Sequence, residues 1–139
     1  FESVLMFALI FIWTPPHFWS LALFMKSDYD TAKVPMLTVT NGRGSTRNHI
    51  LAYSILLAFV ALSIGFSSLS GPIYLVVALV LNIQLVFSAF KLWSRSDADC
   101  MTDNSLLERK FFKFSLLYLF LHFGAIIVEA KINITWLGV

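Results

Sequence analysis

Apolar residues occur along the chain in four long runs that contain few or no charged residues. A helix needs about 20 mostly apolar residues to cross a bilayer, and each run is close to that length. The runs predict membrane spans at residues 3–25, 50–69, 73–93 and 111–128. The predicted fold class is therefore all-α, a polytopic transmembrane helix bundle.

Composition supports a membrane protein. The 139 residues are 58% hydrophobic and 13% charged, whereas soluble domains carry about 25% charged residues. The formal net charge of +2 is too small to indicate nucleic-acid binding, and the single cysteine, Cys100, excludes an internal disulfide. Because the chain opens on Phe1 and has no charged leader, we expect a piece of a longer protein that lacks its N-terminal part.

The connections between the spans predict the topology. The second and third spans are joined by the short turn SSLSGP, which has no basic residue. The two longer connections, residues 26–48 and 94–110, carry most of the lysines and arginines. Four spans place both connections on one side, and the positive-inside rule predicts that this side is the cytoplasm or the mitochondrial matrix.

The first span contains unusual residues for a membrane helix. Pro15, Pro16 and His17 lie in its apolar run, although proline removes a backbone donor and intramembrane histidines usually face a protein interior or cavity. At about 100° per residue, His17, Phe24 and Asp28 fall within about 20° of one line, with Trp13 about 40° away. The spacing predicts a stripe from an imidazole in the membrane to a carboxylate at the mouth. A carboxylate there can hold Mg²⁺, which bridges to phosphate oxygens.

Simpler interpretations account for the same residues. A lone histidine such as His17 is more often a packed, hydrogen-bonded residue than a ligand, and His122 can join helices in the same way. Asp28 and Asp30 beside Lys26 can be a solvated end of the span. A transporter module or a noncatalytic helix bundle also suits intramembrane proline and histidine. The residue chemistry alone predicts only a membrane protein with a site at its cytoplasmic face.

Two segments resemble a known family. WTPPHFWSLALFMKSDYDTAKVPML, from Trp13, and ERKFFKFSLLYLFLHFGAIIVEA, from Glu108, are similar to the signature and last helix of the heme O synthases (protoheme IX farnesyltransferases). These are UbiA-type intramembrane prenyltransferases, all-helical bundles of about nine spans with two aspartate-bearing cytoplasmic loops. The resemblance implies that residues 1–139 are the C-terminal part of one such transmembrane domain, with four of those spans and the second loop.

The resemblance also implies site residues. Asp28 matches the leading aspartate of the second loop, which holds Mg²⁺ and diphosphate, and we expect Lys26 to compensate the diphosphate charge. Where quinone prenyltransferases usually place another aspartate, this chain has Ala32; Lys33 stands where the heme branch often has glycine. We expect His17 to line the heme pocket as an axial ligand or hydrogen-bond partner. The candidate substrate-binding residues are His17, Trp13, Phe24, Tyr29, Arg43 and Arg47.

The implied reaction is transfer of a farnesyl group from farnesyl diphosphate to a vinyl group of heme b, giving heme O for terminal oxidases. The implied cofactor is Mg²⁺, the localisation is the bacterial or mitochondrial inner membrane, and heme A synthase or terminal oxidase assembly are candidate partners. Because the first aspartate loop is missing, we expect the fragment alone to be inactive. The alternatives are a prenyltransferase acting on an aromatic quinone precursor and the noncatalytic bundle or transporter module.

Overall fold

The computed structural model describes residues 1–35 and 37–132, and within them the chain is helical with no strand. Four helices are long and two are short. In chain order they are α1 (Glu2–Phe24), α2 (Lys26–Thr31), α3 (Leu37–Gly65), α4 (Pro72–Trp93), α5 (Asp97–Thr102) and α6 (Leu106–Ile132).

The four long helices confirm the predicted all-α membrane class. In the described residues, α1, the part of α3 from Thr40, α4 and α6 are long and apolar enough to cross a membrane. Two helices differ from the predicted spans. α3 begins in the polar connection and ends at Gly65 instead of residue 69, because the hydroxyls of Ser67 and Ser70 both donate to the Ile64 carbonyl and form a turn. α6 extends past both ends of the predicted span.

The long helices form a closed ring. α1 packs against α3 and α6, and α4 packs against the same two helices. At one end, Ser68 in the turn before α4 donates to Glu2 at the start of α1 at 2.5 Å. At the other end, Trp93 donates to Asn48 at 2.9 Å. The two basic connections therefore share one end of the bundle, as predicted.

Small residues allow the helices to approach closely. Membrane helices associate through packing and interhelical hydrogen bonds, so small side chains are common where they meet. The fully buried small residues on the long helices include Ser20, Ala22, Ser54, Ala61, Ala78 and Ala89. Many large apolar side chains lie on the outside of the bundle, for example Phe120 and Ile83, which are 75% and 70% exposed. An apolar groove of about 610 Å³ between α3 and α4 is lined with residues such as Ile55 and Phe87.

A buried carboxylate joins α6 to the start of α4. Glu129 is fully buried and accepts hydrogen bonds from the Gly71 N–H at 2.6 Å and the Ile73 N–H at 2.7 Å. Pro72, between them, has no N–H to donate. The first N–H groups of a helix have no partner within it, and the helix dipole favours a negative charge there. Glu129, beyond the predicted fourth span, thus satisfies the α4 N-terminus, and its position explains why α6 continues to Ile132.

Candidate functional site

The predicted stripe is interrupted after Phe24. α1 ends there, Met25 has non-helical dihedrals (φ −114°, ψ 23°), and α2 begins at Lys26. Trp13, His17 and Phe24 therefore share one helix, but Asp28 belongs to a second, short helix. The prediction of one continuous helical line from His17 to Asp28 is wrong, because the backbone turns where the chain leaves its apolar run.

His17 lies between two aromatic rings. Its ring centroid is 4.4 Å from that of Trp13 and 4.5 Å from that of Phe112, with interplanar angles of 17° and 21°. Phe18 contacts it edge-on at 5.5 Å. Only 7% of His17 is exposed. The imidazole is thus packed face to face between α1 and α6.

Ser115 on α6 bonds to both polar side chains of this cluster. Its hydroxyl is 2.6 Å from Nδ1 of His17 and donates to the Phe112 carbonyl at 2.7 Å. Its own carbonyl accepts from Nε1 of Trp13 at 2.8 Å. These bonds fix the register of α1 against α6 beside His17.

The aromatic contacts continue toward the basic end. The Phe24 ring meets Phe112 edge-on, with centroids 5.7 Å apart. The guanidinium carbon of Arg109 lies 4.7 Å from the centroid of the Phe24 ring, and its Nε donates to the Asn104 carbonyl. Trp13, His17, Phe112 and Phe24 form a column of rings that ends at the Arg109 cation, and we call these five residues the aromatic column.

Asp28 and Lys26 have different surroundings. Lys26 forms an ion pair with Asp30 at 2.8 Å, the two residues being one helical turn apart. Asp28 is exposed, and its carboxylate has no hydrogen bond or ion pair with the described part of the chain. The Tyr29 side chain lies outside the described residues. Asp28 is therefore the carboxylate of α2 that is free to bind a ligand.

Lys33 follows α2 in the left-handed region, at φ 56°. Glycine adopts this conformation with no steric penalty, whereas other residues pay about 1–2 kcal/mol. At position 33, where the heme branch of the family often has glycine, the backbone therefore has a conformation that favours glycine. Lys33 ends α2 and has a backbone role.

Arg43 and Arg47, the two predicted substrate-binding arginines, lie near the start of α3. Arg47 is almost fully buried and pairs with Asp97 of α5 at 2.9 Å. Its Nε and Nη2, and Nε of Arg43, are buried and unpartnered in the described structure. Gly42, just before them, has φ 83°, which interrupts the helix. Arg47 thus joins the two basic connections to each other.

A second ion pair holds the connection between α4 and α6. Arg95 donates to Asp103 at 2.7 Å and lies 3.6 Å from the buried carboxylate of Glu108. The hydrogen bond from Arg95 lowers the pKa of Asp103 below its usual value. The short helix α5 begins at a capping box in which Ser96 and Asp99 bond each other's backbone N–H groups. This connection is therefore an ordered part of the basic end.

Comparison with known proteins assigns the chain to a family. The model of the UbiA prenyltransferase family matches residues 2–117. The chain belongs to the UbiA prenyltransferase family. It is an integral membrane protein, as the four apolar helices and the family together indicate.

Individual relatives of this UbiA family member give a finer comparison. Curated proteins named protoheme IX farnesyltransferase are similar over 99% of the chain, with 63% identity in Ruegeria pomeroyi, 59% in Ruegeria sp. and 57% in Roseobacter denitrificans. The chain covers 43–44% of those proteins and so spans less than half of their length. No solved structure matches it significantly. Which part of the relatives it represents stays a prediction.

Sequence reasoning missed three residues of this site in the UbiA chain. Phe112, Ser115 and Arg109 all lie on α6, in the segment whose resemblance to the family was evident but from which no site residue was predicted. Their spacing of three residues places them on one helical face, a usable signal. Which neighbour that face contacts required the structure. His122 is separate from this cluster: it is fully buried, and its Nδ1–H donates to the Tyr118 carbonyl.

Proposed function

We propose that the protein containing this chain transfers a farnesyl group from farnesyl diphosphate to a vinyl group of heme b. Diphosphate leaves, a carbon–carbon bond forms to the vinyl group, and water then adds to the resulting cation and loses a proton, giving heme O. The observation that carries the proposal is 57–63% identity, over 99% of the chain, to relatives named protoheme IX farnesyltransferase. The quinone prenyltransferase and the transporter module become alternative outcomes of the test, since no contact among the described residues favours either.

The residues of α2 fit a magnesium ion shared with a diphosphate. Mg²⁺ is usually held by one or two carboxylates, with waters and substrate phosphates completing its shell. In the described residues there is no group of three or more acidic, histidine or cysteine side chains that would hold a metal unaided. Asp28 offers one uncommitted carboxylate, which suits a shared ion. When bound, Mg²⁺ neutralises charge on the departing diphosphate.

Lys26 can exchange its partner. An exposed ion pair one turn apart on a helix contributes only about 0.3–0.5 kcal/mol, and the Lys26 and Asp30 side chains are 28% and 44% exposed. A diphosphate, with more negative charge than a carboxylate, competes well for the Lys26 ammonium. Lys26 therefore stabilises the leaving group once it has exchanged Asp30 for the diphosphate.

The aromatic column forms the wall of the substrate site on the side that lies in the membrane. Trp13 uses one ring face to contact His17, and its opposite face can stabilise an allylic cation by about 0.5–2 kcal/mol. Packed apolar rings also exclude water, which would otherwise capture a farnesyl cation early. At the other end of the column, Arg109 offers a cation to the diphosphate.

We further propose that the end of the bundle carrying α2 and α5 faces the cytoplasm or mitochondrial matrix. The excess of lysine and arginine in residues 26–48 and 94–110 supports this orientation. Heme b and farnesyl diphosphate then meet between Asp28 at the mouth and His17 in the membrane. Heme A synthase or terminal oxidase assembly would receive the product.

The test uses the full-length parent of this chain in membranes that lack endogenous heme O synthase. Hemes are extracted and separated by chromatography for the parent, Asp28→Asn and the matched control Asp30→Asn. We expect heme O with the parent and with the control, and its loss with Asp28→Asn. Heme b alone from a well-expressed parent would contradict the proposed reaction. Heme O from all three proteins would retain the reaction and exclude Asp28 as an essential ligand.

A further inference from the structure

We propose that Ser115 is a positioning residue for His17, holding its imidazole as the Nδ1–H tautomer so that the Nε2 lone pair can bind the iron of a metalloporphyrin. The inference rests on the proposed function, because heme b is the porphyrin substrate there. Ser115 itself does not contact the porphyrin. It acts through the orientation and tautomer of the histidine ring.

The hydrogen bonds at Ser115 fix the tautomer. A serine hydroxyl has one hydrogen, and the Phe112 carbonyl, 2.7 Å away, can only accept it. The contact of 2.6 Å between Nδ1 of His17 and the same hydroxyl then requires a hydrogen on Nδ1. With the hydrogen on Nδ1, a neutral imidazole has its lone pair on Nε2.

Four side chains contact the His17 ring, including Phe18 at its rim with centroids 5.5 Å apart, but no described residue bonds to Nε2 of that ring. Trp13 and Phe112 cover the two faces, and Ser115 occupies the Nδ1 edge. Nε2 of His17 has no hydrogen-bond partner in the described part of the chain. Unlike Nε2 of His122, it is not sealed among the buried unpartnered atoms. His17 thus has a free acceptor at an accessible edge.

This arrangement suits a metal ligand. Histidines that bind metals almost always donate their other ring N–H to an oxygen, which fixes the ring and raises its basicity. Heme iron accepts histidine as an axial ligand. A porphyrin bound at Nε2 lies across the imidazole plane, so it meets the edges of the parallel Trp13 and Phe112 rings. The stacked rings therefore give the porphyrin an apolar support on both sides of its ligand.

The experiment measures heme b binding to the purified full-length protein by absorption spectroscopy. The proteins compared are the parent, Ser115→Ala, His17→Ala and the double variant. Ser20→Ala is the matched control, because this buried hydroxyl donates to the backbone carbonyl of His17 at 2.7 Å and not to its ring. We expect Ser115→Ala to weaken heme b binding about 10-fold or more and to shift the Soret band toward that of His17→Ala.

The double variant tests whether Ser115 acts through His17. In the His17→Ala background, Ser115→Ala should cause no further loss of heme affinity. Additive losses, an unchanged spectrum in Ser115→Ala, or an equal loss in Ser20→Ala would each overturn the inference. Heme extraction from the same parent separates the two proposals. If Ser115→Ala affects heme binding only when His17 is present but the parent makes no heme O, the proposed reaction is refuted and the role of Ser115 is not. If the parent makes heme O but the effects of the two substitutions are independent, only the role of Ser115 is refuted.

Discussion

The carboxylate of Glu129 should be a principal source of stability at the end of the bundle opposite α2. It accepts two backbone hydrogen bonds at the N-terminus of α4 and is fully buried. In Glu129→Gln, one oxygen becomes an NH₂ group that faces a backbone N–H, so one bond is lost and both of these donors are left without an acceptor. A hydrogen bond to a charged group contributes about 1.5–3 kcal/mol, and an unsatisfied buried donor costs about 1–3 kcal/mol. We expect a loss of about 3 kcal/mol in the free energy of unfolding.

The change can be measured by heating the full-length protein in detergent for a fixed time at a series of temperatures. The fraction that stays folded is then determined by size-exclusion chromatography, and its midpoint gives Tm. About 3 kcal/mol corresponds to a fall in Tm of about 6–12 °C. Glu2→Gln is the matched control, because Glu2 makes one bond to Ser68 at the same end and its side chain is 40% exposed. The control should lower Tm by about 2 °C or less. A Glu129→Gln protein that melts within about 1 °C of the parent would refute the reasoning.

Three further predictions concern the basic end. Lys33→Gly relieves the left-handed strain, so the free energy of unfolding should rise by about 1 kcal/mol, seen as a higher Tm without loss of heme O. The Arg95 hydrogen bond lowers the pKa of Asp103 from its ordinary value of 3.8. The ionised carboxylate therefore stabilises the folded protein above about pH 4, and this stabilisation is lost as the pH falls through the lower, folded-state pKa. Asp103→Asn should remove this part of the dependence of Tm on pH between 6 and 3. Phe24→Leu removes the ring beneath Arg109, an interaction of about 0.5–1 kcal/mol, and should raise the KM for farnesyl diphosphate about two- to fivefold. An unchanged KM would contradict the expectation that the Phe24 ring positions Arg109 for diphosphate binding.

The spans could be predicted because the bilayer imposes a length and an apolar composition on each helix. The ends could not, because they depend on distant partners. From the sequence alone, Glu129 is predicted to begin a polar tail. In the structure it bonds to the N–H groups of Gly71 and Ile73, more than 50 residues away in sequence. The same holds for Glu108, which is buried beside Arg95. A hydropathy pattern assigns a carboxylate to water when no partner is known.

The site divides in a similar way. The helical period correctly grouped Trp13, His17 and Phe24, since residues three, four or seven apart share a face. It failed at Asp28 because the backbone changes direction at Met25. The residues that complete the cluster come from α6, and no local spacing identifies the neighbour of a helix face. The length of the apolar runs predicts the membrane spans, and the helical period predicts which residues share a face. Neither predicts which helices pack together.

The distance in sequence between His17 and its hydrogen-bond partner has a consequence for biosynthesis. Ser115 follows His17 by 98 residues, and at about 5–20 residues per second the ribosome needs about 5–20 s to complete that interval. During this time α1 is already long enough to enter the bilayer, while the His17 imidazole still lacks the hydroxyl that it will bond. The nascent protein therefore needs water, lipid headgroups or an insertion factor to shelter His17 until α6 is made. Faster insertion of α1 than of α6 would expose an unpaired polar group to hydrocarbon, and this makes the order and timing of helix insertion part of how the site is assembled.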